Sequence, residues 1–315
     1  MPRIVSLLPS ATEIVCALGA RADLAGVSHE CDWPPDVIGL PVLTKAKMLP
    51  SPSSLAIDHS VRQVVRQALA VYDIDTALLE TISPDAVVTQ DLCDVCAVSL
   101  TDVQSAVARL AKRDVTIVSL RPERLDDIFT DIERTGAALE RTAEARAVVA
   151  SLRARVDAVR VRAAAAVGRP SVLTVEWIEP VMVGGTWMPE LVTIAGGTPL
   201  VTSPGERAPT LSRADLARLD PDVVLVKPCG FPLDRTLAEI EALGRVLPWA
   251  EWRCVREQRV FLADGNAYFN RPGPRIVDSL EILAACVHPK IFGDHRARYR
   301  DAVLRVSPDL QTSPW

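Results

Sequence analysis

No glycine or proline interrupts the stretch from Thr142 to Val167, and that stretch limits the possible folds of this chain more than any other. Its apolar residues fall at Ala145, Val148, Val149, Leu152, Val156, Val159 and Ala163, the period of a helix with one buried stripe. Arg146, Arg153, Arg155, Arg160 and Arg162 occupy the other faces. Thr142 suits the start, Glu144 the first turn, and Gly168 with Pro170 ends the run. At 1.5 Å per residue the helix spans roughly 39 Å, about the width of a domain. It is either a long helix lying on one sheet or a rigid strut joining two lobes.

The flanking segments favour the strut. Before it, Arg3–Leu8 reads as a buried strand and Pro9–Leu18 as a helix closed by Gly19. Ser10 and Glu13 are placed for a capping box. Leu24–Ser28 predicts a strand, Ser51–Tyr72 a turn becoming helical, Ile82–Gln90 a turn feeding a buried strand, Thr101–Arg113 a helix and Val115–Leu120 a strand. After it, strands are expected at Ser171–Trp177, Pro221–Val226 and Arg259–Ala263. Helices are expected at Met188–Ala195, Leu211–Leu219, Leu233–Leu243 and Arg275–Val287, with a helical piece and an unstructured end beyond His288. Strands alternating with helices mean parallel sheets covered by helices. Ile82-Ser83-Pro84-Asp85-Ala86-Val87-Val88 is echoed by Leu219-Asp220-Pro221-Asp222-Val223-Val224-Leu225, once on each side of the long helix. The expected fold class is α/β. It has two Rossmann-like lobes, 1–121 and 169–315, around a helical connector at 122–168, with the ligand cleft between the lobes.

Composition narrows the function. With 315 residues, 49% hydrophobic, 24% charged and a net charge of −5, the chain is not built for nucleic acid or an anionic membrane surface. No apolar run reaches membrane-spanning length. Pro9, Ser10, Thr12 and Glu13 break the apolar N-terminal run, so no signal peptide is read there and a cytoplasmic location is expected; a start further upstream would make it periplasmic or cell-surface. Seven scattered Cys fit reduced thiols better than a disulfide framework. A monomer is expected.

Ile4-Val5-Ser6-Leu7-Leu8-Pro9-Ser10-Ala11-Thr12-Glu13 with Ala17-Leu18-Gly19 resembles the opening of a known family. Further motifs follow in the same order: the two Pro-Asp strands, Gly184-Gly185-Thr186-Trp187, Ala195-Gly196-Gly197 and Arg271-Pro272-Gly273-Pro274-Arg275. Together they resemble the cobalamin- and iron-siderophore-type (class III) substrate-binding proteins of ABC transporters, nearest the vitamin B12-binding branch, from Arg3 to about Val287. The resemblance implies two α/β lobes joined by a long helix, a corrinoid such as cobalamin as ligand, and an ABC permease as partner for exported members.

Ligands of open α/β sheets sit beyond the carboxyl ends of the strands. That nominates the loops 9–13, 29–33, 91–96, 177–187 and 266–271. The chain has six Trp, three Tyr and five Phe; Trp33, Trp177, Trp187, Tyr268 and Phe269 all fall in these loops. Flat aromatic faces suit a broad planar ligand. Pro9, Ser10, Asp91 and Arg271 complete the candidate set. Trp187 leads it, because two glycines before it let a ligand approach the backbone. The plain alternative is that these side chains fill lobe edges.

Cys93-x-x-Cys96, with His29 and Cys31, makes a possible Cys/His metal set, a redox pair, or two small packing residues. An enzyme using the same cleft is the alternative function. Glu13, Asp32, Asp91, Asp94, Glu176, Glu179 and Asp264 are available carboxylates, but there is no P-loop, dinucleotide fingerprint or nucleophile elbow. Binding without catalysis is therefore the primary expectation.

Overall fold

The computed structural model describes residues 2–46, 53–66, 72–91, 100–108, 110 and 114–315. The chain divides into two compact units. The first comprises Met1–Ser51, His59–Pro122 and Asp126–Leu152; the second comprises Pro52–Asp58, Glu123–Leu125 and Arg153–Trp315.

The first unit opens with β1 (Ile4–Ser6), α1 (Pro9–Ala17), β2 (Leu24–Gly26) and β3 (Thr44–Ala46). Then come α2 (Ser54–Arg66), whose start lies in the second unit, β4 (Tyr72–Ile74), α3 (Thr76–Ile82), β5 (Ala86–Gln90), α4 (Leu100–Val107), β6 (Thr116–Leu120) and α5 (Leu125–Ala138). Four strands form a parallel sheet in the order β2-β1-β5-β6. β3 and β4 make a separate antiparallel pair that the apolar pattern did not announce. Val5, Leu7, Val87, Leu79, Val103 and Ala106 share one core on a face of the sheet.

α6 (Thr142–Ala164) is the long helix. It is continuous, and its residues pass from the first unit to the second after Leu152. Six of the seven residues of the predicted stripe are buried: Ala145, Val149, Leu152, Val156, Val159 and Ala163 are each at most 6% exposed, and Val148 is half-buried. Its second half is anchored by charge. Arg155 donates to Asp278 (2.5 Å) and Glu281 (2.9 Å), and Tyr299 donates to Glu281 (2.6 Å). Burial opposes ionisation of Glu281, but the bonds from Arg155 and Tyr299 outweigh it and hold its carboxyl below the usual range.

The second unit continues with β7 (Ser171–Trp177), β8 (Met182–Val183), α7 (Met188–Ile194), β9 (Thr198–Pro199), α8 (Arg213–Leu216) and β10 (Val223–Val226). After these come α9 (Leu233–Leu237), α10 (Ile240–Val246), α11 (Arg253–Arg256), β11 (Val260–Ala263), α12 (Ile276–Val287), α13 (Gly293–Arg298), β12 (Val303–Val306) and β13 (Thr312–Pro314). Its sheet runs β13-β12-β11-β10-β7-β8, with β9 also paired to β7. β7, β9, β10 and β11 are parallel; β8, β12 and β13 add antiparallel edges. The expected unstructured C-terminus is therefore wrong. Beyond α13 the chain forms a hairpin, and Trp315 is buried edge-on to Phe261 with ring centroids 6.4 Å apart. The single helix expected over 233–243 is two, α9 and α10, and Glu239 between them is buried.

Candidate functional site

Each sheet has one place where successive connections leave in opposite directions. In the first unit the chain goes from β1 through α1 to β2 on one side, and β5 joins β1 on the other. In the second, it goes from β7 through α7 to β9 on one side, and β10 joins on the other. Beyond the carboxyl ends of such a strand pair lies the usual ligand site of open α/β sheets. The Pro-Asp motif sets both pairs. The Asp85 carboxylate accepts from Arg3 N–H (2.6 Å) just before β1, and the Asp222 carboxylate accepts from Ser171 N–H (2.8 Å) at the start of β7.

At the first of these edges, Pro9 is the first residue of α1 and is half-buried. Ser10 does not cap the helix. Leu8 holds the cap position with extended backbone and no side-chain bond, so the capping-box expectation is incorrect. With Pro9 already inside the helix, Ser10 falls in its first turn, and its hydroxyl is buried without a hydrogen-bond partner. Thr12 Oγ1 lies 2.8 Å from Ser6 Oγ and 3.1 Å from Cys31 Sγ. His29 Nδ1 lies 2.7 Å from Thr44 Oγ1, and its ring tilts against Tyr72 at 5.2 Å. Trp33 is 44% exposed. Asp91 is ion-paired to Arg121 at 2.6 Å.

The second edge is wired more densely. Lys227, 0% exposed, follows β10 and donates through Nζ to Glu176 Oε2 and to Asn270 Oδ1, both at 2.9 Å. Asn270 in turn donates to the carbonyls of Lys227 (3.0 Å) and Gly265 (2.8 Å). Gly265 is required here, because a Cβ would stand 2.0 Å from the Pro228 carbonyl oxygen. Arg271 is buried and donates to Asn266 Oδ1 at 2.9 Å. Trp177 is half-buried, tilts against Phe231 at 5.2 Å, and donates from Nε1 to the Ser54 carbonyl at 3.2 Å. Tyr268 is half-buried beside Tyr299 at 6.2 Å, with the Arg275 guanidinium 5.7 Å from its ring centre.

Two of the predicted aromatics are internal. Trp187 is 7% exposed and donates from Nε1 to the Phe269 carbonyl at 2.9 Å; Phe269 is 0% exposed. The glycines before Trp187 serve the chain's own packing rather than ligand approach. A Cβ at Gly184 would meet Thr174 Oγ1 at 2.3 Å, and one at Gly185 would meet backbone of residues 206–208 at 2.4–2.7 Å.

Cys93 and Cys96 lie outside the described residues. Among the described residues no group of three or more His, Cys, Asp or Glu side chains is arranged to hold a metal ion. The pair of buried Lys227 with partly exposed Glu176 is not marked as a unit in the sequence. Its only signals were Glu176 near the end of one apolar strand and a lysine directly after another.

Comparison with known proteins agrees with this topology. A family model described as periplasmic binding protein matches residues 4–267. The chain belongs to that family. It is a substrate-binding protein of the ABC-transporter type, a family whose members are periplasmic, bind a small molecule and work with an ABC permease. No curated protein sequence matches. Solved structures of the same fold include a periplasmic haem-binding protein from Pseudomonas aeruginosa, with TM-score 0.70 and 23% identity over 92% of this chain and 94% of that one. The periplasmic vitamin B12-binding protein BtuF of Vibrio cholerae gives 0.64 and 19% over 91% and 97%. S. aureus IsdE complexed with haem gives 0.68 and 14% over 91% and 99%. Nothing in these comparisons supports the cytoplasmic expectation. Among the described residues no helix is long and apolar enough to cross a membrane.

Proposed function

We propose that this substrate-binding protein takes a tetrapyrrole-type ligand, and within that class a corrinoid such as cobalamin, on the carboxyl-edge loops of its sheets. The observation that carries the reading is the shared switch-point topology in a chain of this family, with partly exposed Trp33, Trp177 and Tyr268 on those loops. Aromatic faces cover the apolar parts of a wide ring, and loop backbone meets its polar edge. The named ligands of fold relatives, vitamin B12 and haem, are both of this class. A preformed edge favours binding with little rearrangement. Release to an ABC permease follows from the family role.

The test is titration of the purified protein with cyanocobalamin and with haemin, followed by calorimetry and tryptophan quenching. The expected result is saturable 1:1 binding of cyanocobalamin. Binding of haemin alone would leave the ring class standing and remove the corrinoid. No binding of either at high micromolar ligand, with turnover of a small molecule, would transfer the proposal to an enzyme using the same loops.

A further inference from the structure

Glu176 and Lys227 stand together at the switch point of the second sheet, and their exposures are unequal. The Lys227 side chain is 1% exposed, while that of Glu176 is 22% exposed. The ammonium is therefore sealed inside and spends two of its protons on Glu176 Oε2 and Asn270 Oδ1. Among the described residues Glu176 Oε1 has no hydrogen-bond donor, and the side chain that carries it is partly open to solvent. Its backbone is fixed as well: Cys229 N–H donates to the Glu176 carbonyl at 3.0 Å. The neighbouring residue is Trp177, half-buried and tilted against Phe231. The carboxyl end of β7 thus carries a backbone-anchored carboxylate and, at the next residue, a half-buried indole.

We propose that Glu176 is a specificity-determining residue of the ligand site, selecting a ring with neutral amide donors at its periphery over one with carboxylates. This rests on the tetrapyrrole reading given above. An amide N–H donates to the fixed carboxylate, a charge-assisted bond stronger than one to a neutral acceptor. A ligand carboxylate at the same place meets like charge, which discriminates against it. The Lys227 ammonium offsets part of this repulsion, but it is bonded at Oε2 and lies farther than the carboxylate from a group placed at Oε1.

The experiment compares cyanocobalamin with the same compound after partial hydrolysis of its peripheral amides to carboxylates. Wild type at neutral pH is expected to bind the hydrolysed form about tenfold more weakly, the effect of roughly 1.4 kcal/mol. In Glu176→Gln the gap between the two probes should shrink to under about threefold, because the acceptor remains but the charge is gone. Equal binding of both probes by wild type overturns the proposal while leaving the corrinoid reading intact, and this arm needs no variant to fold. An unchanged gap in a folded Glu176→Gln protein also overturns it. Failure of wild type to bind cyanocobalamin at all defeats the corrinoid reading, and with it this inference.

Discussion

The two units are built on one plan and finished differently at the same place. Register makes the correspondence explicit. Ile4 pairs with Ala86 in the first sheet, and Val172 pairs with Val223 in the second. Four residues on from each of these, Leu8, two residues past the end of β1, corresponds to Glu176 on β7, and Gln90 corresponds to Lys227. Leu8 and Gln90 are both buried, an apolar side chain and an uncharged amide. Helices α1 and α7, the first helices after β1 and β7, both have Pro near the start and no side-chain cap, and both are followed by a glycine at positive φ, Gly19 at 74° and Gly196 at 84°. The scaffold is repeated, but at these matched positions the first unit has two uncharged residues and the second has an ion pair. A charge pair in such a position is a poor way to gain stability, since desolvation consumes most of the attraction. That the pair stands at positions held by uncharged residues in the other unit fits a role in recognition better than a role in the scaffold.

The sharpest test of that contrast is a matched pair of substitutions. Lys227→Met strands Glu176 and unties Asn270. Removing one member of a buried pair costs about 3–5 kcal/mol, and the partial exposure of Glu176 puts the expectation near the lower end, about 3 kcal/mol. Gln90→Met removes an uncharged group and strands no charge, so the expected cost is under about 1 kcal/mol. Urea unfolding of both variants measures the difference. Equal costs would mean that the two switch points are energetically equivalent despite their chemistry.

A second pair probes what the units share. Asp85 and Asp222 each clasp the beginning of the preceding central strand. Asp222 also accepts from Ser171 Oγ at 2.9 Å and pairs with Arg253. Its carboxyl titrates below the usual range. Burial pushes it up, but the Ser171 N–H and hydroxyl and the Arg253 charge together push it down further. Asp222→Ala is expected to cost about 2–3 kcal/mol and Asp85→Ala, with its more exposed bond, about 1–2 kcal/mol. The sign of the pH effect follows from the depressed folded-state value. The contribution of Asp222 is complete above the ordinary carboxylate range and is lost as pH falls through the lower folded-state value. Wild type should therefore lose the advantage over Asp222→Ala in acid. A gap that persisted unchanged well below pH 3 would show that the carboxylate charge is not what holds the strand.

How much of this was legible from residues depends on the range of the interactions. The long helix, its buried stripe and the Pro-Asp repeat were readable because period and turn chemistry are local properties. The β12–β13 hairpin was not, because Val303–Val306 and Thr312–Pro314 are short, mixed segments whose pairing with β11 is made by the sheet. Ser10 looked like a cap because Glu13 stands three residues on; Pro9 entering the helix moved the boundary by two residues. Trp187 looked like a ligand surface because glycines precede it. The same glycines serve equally well where one backbone segment runs against another, and only the position of residues 206–208 distinguishes the two uses. The Lys227–Glu176 pair spans 51 residues and two strands, so no local pattern marks it.

The smallest expected effect lies at the edge of the first sheet. Arg121 and Asp91, just beyond the ends of β6 and β5, form an ion pair at 2.6 Å, with side chains 66% and 31% exposed. Arg121 also donates from Nε to the Asp91 carbonyl at 3.3 Å. Here the charges remain in water, so the attraction is screened and the ordering of a long side chain offsets much of it. Arg121→Ala is expected to destabilise the protein by under about 1 kcal/mol, and the effect should shrink further in 1 M salt, where the screening length falls to about 3 Å. The Lys227→Met effect should change little in the same salt, because ions do not enter between groups buried to that degree. Unfolding both variants at low and high salt separates the two edges directly. A salt-independent Arg121→Ala cost near 3 kcal/mol would place an equally committed charge pair at the first edge and remove the asymmetry between the units.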